Sequence, residues 1–284
     1  MNKKASKFFF EVIGNNFPST YYHLSYLHNH GRWPNLKNPK DLAEVIGRQC
    51  INGEINQYSV YADKVEVRKY INDWLGEGFL PKLYGVWEKF DDVSFDILPN
   101  EFALKTNHGC GGNVICYDKK SLDINKAKCI IDTAMNTDFG GVTQTHYHHI
   151  PKKVFAEQLL TDNGQLPTDY KFHCWNGEIK TILCCVDRGI GGHVKLKNYD
   201  INWEPMNLLK KHEGSTDVPC PSNFEEMKQV ATTIAQHFVH VRVDLYSFRN
   251  KTYVGELTFT PEGGLMRYYT RDALLYLAGQ KSVL

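Results

Sequence analysis

The sequence predicts an α+β fold in which helices cover antiparallel sheets. Residues 1–80 have a mostly helical pattern, whereas short alternating apolar and polar runs, typical of strands, appear from Phe102 onward. Turn signals join several of these runs into hairpins, which pair in antiparallel fashion. With 284 residues, 42% of them hydrophobic, the chain can form one large or two small domains with their own cores.

Four helices are predicted, over residues 38–49, 63–74, 121–135 and 222–238. The first begins at Asn38, whose side chain can cap the helix, with Pro39 in the first turn. Ser121 is the predicted cap of the third helix. The fourth begins with a capping box formed by Ser222 and Glu225.

Strands are predicted over residues 102–106, 114–117 and 154–160, and two hairpins follow over residues 169–186 and 241–260. The first hairpin turns at Asn176-Gly177, a strong signal for a type I′ turn. The second turns at the polar segment 249–251, which is expected to form a three-residue loop. This register pairs Phe248 with Thr252, Asp244 with Glu256 and Arg242 with Thr258, and it turns Val243, Leu245, Leu257 and Phe259 toward a core.

The pairing of Asp244 with Glu256 is the strongest chemical signal in the sequence. Directly opposed side chains lie about 5 Å apart at Cβ, where two carboxylates repel by roughly 3 kcal/mol at an effective dielectric constant of about 20. A raised pKa or a bound metal would relieve this repulsion. Together with the Thr258 hydroxyl, the two carboxylates favour Mg²⁺ or Mn²⁺. The alternative is a solvated hairpin whose acids pair with neighbouring basic residues.

A glycine-rich turn after Lys105 gives the second signal. Gly109, Gly111 and Gly112 leave backbone N–H groups free to close over phosphate oxygens, with Lys105 as a positive charge nearby. The alternative is an ordinary hairpin turn. The order of strand, glycines and helix required by Walker and dinucleotide-binding motifs is missing, and a protein kinase would place its glycine loop before the lysine.

Composition excludes several classes of protein. A formal net charge of +1 gives no electrostatic reason to expect a nucleic-acid partner. No apolar run reaches the 18 residues of a membrane span, and the basic N-terminus lacks a cleavage site, so neither membrane insertion nor a signal peptide is expected. The eight cysteines show no CxxC spacing, so free thiols in the cytoplasm are predicted.

Five motifs in order resemble those of the ATP-grasp superfamily. The residues around Lys105, around Glu157 and in the last motif resemble its TupA-like branch, which is associated with surface polysaccharide biosynthesis. The motifs are Ala62-Asp-Lys64 with Arg68, Phe102-Ala-Leu-Lys105 before the glycine-rich loop, Phe155-Ala-Glu157-Gln-Leu-Leu160, Arg242-Val-Asp244, and Gly255-Glu-Leu-Thr-Phe-Thr-Pro-Glu-Gly-Gly264. The resemblance covers roughly residues 60–268. It implies two α+β subdomains that grip ATP between antiparallel sheets, at residues 81–153 and 154–284, after a reduced helical N-terminal region at residues 1–80.

The same resemblance implies the nucleotide-binding residues. Lys64 and Lys105 would contact the phosphates, and the loop from Gly109 to Gly112 would close over them. Glu157 and Leu159 would lie at the hinge that receives adenine. Asp169 is the expected ribose contact, with Asp162 as a competitor.

The resemblance also implies a reaction. Asp244 and Glu256 would hold Mg²⁺, and Arg242 would stabilise an oxyanion or the transferred phosphoryl group. Thr258 stands where many ATP-grasp ligases carry Asn, which puts a second metal ion in doubt. ATP would phosphorylate a carboxylate, and an amine would attack the acyl phosphate to give an amide. The implied carboxylate is a uronic acid in a nucleotide-linked or polymer-linked sugar.

The acceptor and the reaction class have alternatives at this stage. Arg188, Arg267 and Arg271 are candidates for an anionic acceptor, and each can equally be a surface ion-pair partner. A small-molecule or sugar kinase would use the same nucleotide residues and stop after phosphoryl transfer. A non-catalytic nucleotide-binding protein would bind ATP without turnover. The sequence gives no oligomeric state.

Overall fold

The computed structural model describes residues 14, 16–162, 164–186, 195–210 and 217–280. The helices are α1 (Pro18–His30), α2 (Leu42–Ile51), α3 (Ser59–Ala62), α4 (Val67–Leu75), α5 (Ile124–Asn136), α6 (Phe224–Ala235) and α7 (Arg271–Leu277). The strands are β1 (Leu83–Trp87), β2 (Phe102–Thr106), β3 (Val114–Cys116), β4 (Val154–Glu157), β5 (Asp169–Trp175), β6 (Glu178–Val186), β7 (Lys195–Tyr199), β8 (Pro205–Met206), β9 (His240–Phe248) and β10 (Lys251–Thr258).

These strands form two antiparallel sheets, which confirms the predicted α+β class. The smaller sheet has the order β1-β4-β2-β3, and the larger has the order β10-β9-β5-β6-β7-β8. The expected boundary between residues 153 and 154 needs correction, because β4 pairs with β1 and β2 in the smaller sheet. The smaller sheet therefore extends to Glu157.

Each sheet has its own core. Phe102 and Leu104 of β2 pack with Ile131 of α5 beside the smaller sheet. The larger sheet shares one core with the N-terminal helices, since the same cluster contains Tyr22 of α1 and Phe172 of β5. The N-terminal helical region is thus attached directly to the sheet that carries the paired carboxylates.

The β9-β10 hairpin pairs Asp244 with Glu256, as predicted, but its loop and the pairing next to the loop differ from the prediction. Its loop has two residues, Arg249 and Asn250, both with positive φ, so Phe248 pairs with Lys251 and the predicted pairing with Thr252 is wrong. A bulge between Val254 and Glu256 shifts the register back. At its centre a Cβ on Gly255 would lie 2.6 Å from the Tyr246 ring.

Three predicted helix caps are also wrong. Helix α2 begins later than expected, because the buried Asp41 caps it by accepting from the Glu44 N–H at 2.9 Å. Asp123 and not Ser121 caps α5. Ser222 donates its hydroxyl to Asn250 at the hairpin tip, so it does not form the predicted capping box. A nearby acid takes the capping role in α2 and α5, whereas at α6 a tertiary partner binds Ser222 and no side chain caps the helix.

Candidate active site

One face of the larger sheet carries a row of charged side chains. The register places Lys171 of β5 beside Asp244 of β9, and Asp244 beside Glu256 of β10. Asp169 and Arg242 lie two residues away on β5 and β9, which puts them on the same face. The apolar residues between them, such as Val243 and Leu257, are buried on the opposite face as predicted.

The three predicted metal ligands converge on a single point, which is Nη2 of Arg242. This nitrogen lies 2.7 Å from Oδ2 of Asp244, 3.0 Å from Oγ1 of Thr258 and 3.5 Å from Oε1 of Glu256. The two carboxylate oxygens are consequently no more than about 6 Å apart. Carboxylate and hydroxyl oxygens are the hard ligands that Mg²⁺ takes at about 2.1 Å. The donor set therefore fits Mg²⁺ or Mn²⁺.

Lys171 was missed by the sequence reasoning and is central to this cluster. Its ammonium lies 2.7 Å from Asp169 and 2.5 Å from Asp244. Burial alone would lower the pKa of Lys171, but the carboxylates of Asp244, Asp169 and Glu256 together outweigh it, so the pKa lies above its usual value. The signal that could have found it is the alternation in β5, which puts residue 171 on the face of Asp169.

Arg242 is held firmly by its partner. Its Nε donates to Oδ1 of Asp244 at 2.6 Å, and Nη2 donates to Oδ2, giving a two-point contact with a carboxylate that is 1% exposed. Burial would lower the pKa of Arg242, yet the net effect of Asp244 and its neighbours is to raise it. Arg242 is thus a fixed positive charge beside the carboxylate pair.

Lys64 connects this cluster to the glycine-rich loop. Its ammonium donates to the carbonyl oxygen of Gly109 at 2.7 Å and lies 3.4 Å from Oε2 of Glu256. The loop is anchored by Asn107, whose side chain donates to Asp63 at 2.8 Å. The predicted phosphate loop and the predicted metal pair are therefore neighbours, joined by one lysine.

The loop glycines have backbone conformations that other residues adopt with strain. Gly109, Gly111 and Gly112 have φ of 65°, 83° and 64°. At Gly109 there is a second constraint, because an added Cβ would lie 2.1 Å from the ring of Phe139. Phe139 thus packs directly on the turn that approaches the charged cluster.

A largely apolar pocket opens beside the charged row. It contains the predicted nucleotide residues Lys105, Glu157 and Leu159, and its other lining residues include Pro81, Ala103, Ile115, Leu160, Leu166 and Tyr246. Tyr246 follows Asp244 by two residues, so it lies about 7 Å farther along β9 and on the same face. A ligand with an apolar ring in this pocket and an anionic tail can therefore reach the carboxylates.

The side chain of Glu157 lies between two cations. Its carboxylate pairs with Lys105 at 2.7 Å and with Arg68 at 3.2 Å. Burial lowers the pKa of Arg68, although the Glu157 charge opposes that shift. Glu157 thus holds Lys105 at the pocket, and the adenine contact near Leu159 stays a prediction.

The remaining predicted residues are the candidate acceptor arginines and the candidate ribose contact. Arg267 and Arg271 are exposed, and Arg267 donates to the Tyr268 hydroxyl at 3.2 Å. Arg188 lies outside the described residues. Asp169 begins β5 as predicted and is buried against Lys171. The roles predicted for individual residues in metal, nucleotide, ribose and acceptor binding all stay predictions.

The described part of the chain has no helix with the length and apolar character needed to cross a bilayer. All eight cysteines lie within the described residues, and none of them forms a disulfide.

Comparison with solved structures shows similarity to ligases of the ATP-grasp fold. A D-alanine–D-alanine ligase from Bacillus anthracis complexed with ATP is 17% identical, with a TM-score of 0.45 over 70% of this chain and 55% of that chain. The ATP-grasp ligase PsnB, complexed with minimal precursor, Mg and ADP, is 11% identical, with a TM-score of 0.41 over 72% and 52%. D-cycloserine synthetase DcsG is 13% identical, with a TM-score of 0.41 over 76% and 68%.

The aligned region spans just over half the length of the first D-alanine–D-alanine ligase. The comparison with curated proteins gave no match. The sequence model of the TupA-like ATP-grasp family matches residues 44–278, which include both sheets and every residue of the charged row. The chain therefore belongs to the TupA-like ATP-grasp family and has the ATP-grasp fold.

Proposed function

We propose that this protein is an ATP-dependent carboxylate–amine ligase that forms an amide and releases ADP and phosphate. The observation that carries the proposal is the convergence of Asp244, Glu256 and Thr258 on the guanidinium of Arg242, next to a pocket lined by Lys105, Glu157 and Leu159. A binding protein has no use for paired carboxylates and a buried arginine at the end of its nucleotide pocket. Those groups serve the transfer of a charged phosphoryl group.

In this proposal Asp244 and Glu256 hold Mg²⁺ or Mn²⁺, with the Thr258 hydroxyl as a neutral ligand. When bound, the ion would neutralise negative charge on the phosphate oxygens. The apolar pocket binds adenine near Leu159, and Asp169 at the start of β5 is the proposed ribose contact. Lys64 and Lys105 approach the phosphates from the side of the glycine-rich loop.

The reaction has two steps. An oxygen of the substrate carboxylate attacks the γ-phosphorus, the bond to the β-phosphate oxygen breaks, and ADP leaves. The nitrogen of the amine then attacks the acyl carbon, loses a proton, and displaces phosphate to leave the amide. Arg242 is placed to stabilise the negative charge that develops on oxygen in both steps, because its guanidinium is buried and fixed by Asp244.

The substrate assignment follows the family. A uronic acid in a nucleotide-linked or polymer-linked sugar is the proposed carboxylate, an amino acid or amino alcohol is the proposed amine, and the cytoplasm is the proposed location. Arg267 and Arg271 are proposed to bind the anionic acceptor, since both are exposed and follow β10 in the chain.

The test is ADP release from purified protein, measured against a matrix of sugar acids and amines, with mass spectrometry of the products. A ligase requires both a carboxylic acid and an amine and gives a product joined by loss of water. A phosphorylated hydroxyl product, formed without any carboxylic acid, would show that the protein is a kinase. ATP binding without turnover on any pair would favour the non-catalytic alternative.

A further inference from the structure

Lys171 is, besides Arg242, a second cation in direct contact with the proposed metal ligand Asp244. Its ammonium contacts Oδ2 of Asp244 at 2.5 Å, and the same oxygen accepts from Nη2 of Arg242 at 2.7 Å. Arg242 also contacts the other oxygen, Oδ1, at 2.6 Å. Both oxygens of Asp244 are thus already paired with protein cations, so a metal ion that binds Asp244 must displace or share one of these contacts.

The charges of the cluster are balanced. Its carboxylates are Asp169, Asp244 and Glu256, and its cations are Lys64, Lys171 and Arg242. A divalent ion arriving alone would place two further positive charges among three cations in a mostly buried site, where such repulsion is weakly screened. A metal ion that arrives with a triphosphate brings negative charge with it, so the repulsion is offset.

Lys171 also lies on the path between the pocket and the metal ligands. Along the β5-β9 pairing, Asp169 is opposite Tyr246, which lines the pocket, and Lys171 is opposite Asp244. Phosphates that reach Asp244 from the pocket also come near the Lys171 ammonium, which lies 2.5 Å from that carboxylate. A lysine ammonium on a flexible stem can exchange a carboxylate for a phosphate oxygen with little movement.

We propose that Lys171 makes divalent-metal binding depend on nucleotide: it holds Asp244 through its ammonium and transfers to a phosphate oxygen when metal and nucleotide bind together. This inference rests on the proposed nucleotide site. By thermodynamic linkage, nucleotide and metal then raise each other's affinity by the same factor.

The experiment measures Mn²⁺ binding by electron paramagnetic resonance, with and without a non-hydrolysable ATP analogue. In the wild-type protein the analogue is expected to tighten Mn²⁺ binding at least about tenfold. In Lys171→Gln, Mn²⁺ alone is expected to bind at least about fivefold more tightly than in wild type, and the effect of the analogue shrinks. Lys171→Arg keeps the charge and should behave as wild type.

Lys180→Gln is the matched control, because Lys180 pairs with the exposed Glu178 on β6 away from the charged row. It should leave both Mn²⁺ constants unchanged. Equal Mn²⁺ affinity with and without the analogue in wild type would overturn the inference without any variant. So would a Lys171→Gln protein that binds Mn²⁺ alone no more tightly than wild type. If the protein binds no nucleotide under any condition, the proposed function fails as well.

Discussion

The two proposed metal carboxylates, Asp244 and Glu256, have different surroundings, and this predicts different consequences when each is neutralised. Asp244 is 1% exposed and accepts three charged hydrogen bonds, two from Arg242 and one from Lys171. The side chain of Glu256 is 33% exposed, and its ion pairs with Lys64 and Arg242 are longer, at 3.4 and 3.5 Å. Loss of charge at Asp244 is therefore expected to lower the free energy of unfolding much more than loss of charge at Glu256.

The magnitudes follow from burial. Removing one partner of a buried ion pair costs about 3–5 kcal/mol. Asn at position 244 keeps one acceptor oxygen, and Asp169 still pairs with Lys171, so we expect Asp244→Asn to lower the free energy of unfolding by about 2–4 kcal/mol. For Glu256→Gln we expect about 1 kcal/mol or less, as for an ion pair open to solvent.

Both substitutions remove a proposed metal ligand, so both should reduce turnover. A loss of about 3 kcal/mol of transition-state stabilisation corresponds to a roughly 100-fold slower reaction. Turnover is measured by ADP release, and stability by urea denaturation followed by circular dichroism. Glu225→Gln is the control, since Glu225 is an exposed partner of Lys228 on α6.

Either of two results would refute this reasoning. One is a Glu256→Gln protein with turnover within about threefold of wild type, which would remove Glu256 from the metal site. The other is an Asp244→Asn protein that is destabilised no more than Glu256→Gln, which would mean that Asp244 does not neutralise the buried cations.

Three further predictions concern the loop, the pocket and pH. Gly111→Ala should lower the free energy of unfolding by about 1 kcal/mol, because only its φ is unfavourable. Gly109→Ala should lower it more and also weaken ATP binding, since the added Cβ would overlap Phe139. Denaturation compares the stability of the two variants, and nucleotide titration compares their affinity for ATP. Lys105→Met should raise the KM for ATP about tenfold or more in ADP-release kinetics, with a smaller effect on kcat; an unchanged KM would exclude a phosphate contact. Burial lowers the pKa of His146 to about 4, so its neutral form stabilises the fold above about pH 6.5 and this stability is lost as the pH falls toward 4. His146→Phe should therefore reduce the slope of the unfolding free energy against pH by about 1.4 kcal/mol per pH unit between those values. An unchanged slope would contradict this prediction.

The sequence was sufficient to predict the α+β class and the opposition of Asp244 to Glu256, because both follow from local alternation along a hairpin. It was insufficient for the loop itself, where a two-residue turn and a bulge at Gly255 compensate each other. A glycine inside a strand is a signal for such a bulge. The two errors in the predicted hairpin cancel at residue 256, so the predicted pair survived.

Lys171 could not be assigned from local pattern alone. Its contact with Asp244 depends on the pairing of β5 with β9, two strands separated in sequence by β6, β7, β8 and α6. Alternation places Lys171 on the face of Asp169, but which strand lies beside it is decided by the whole sheet. For the same reason the ion pair between Lys64 and Glu256 could not be predicted from local pattern, because Lys64 comes from a segment before the smaller sheet and Glu256 from the larger sheet.

Glu256 is the point at which the two parts of the proposed site meet. Lys64 reaches it while donating to the glycine-rich loop at Gly109, and Arg242 reaches it from the neighbouring strand. Because Glu256 is partly exposed and its ion pairs are long, it is the carboxylate that can move most easily to accept a metal ion. Movement of Glu256 would release Lys64 from its acidic partner and leave the ammonium to the phosphates under the loop. Closure of the glycine-rich loop and metal binding are therefore expected to be coupled through Lys64.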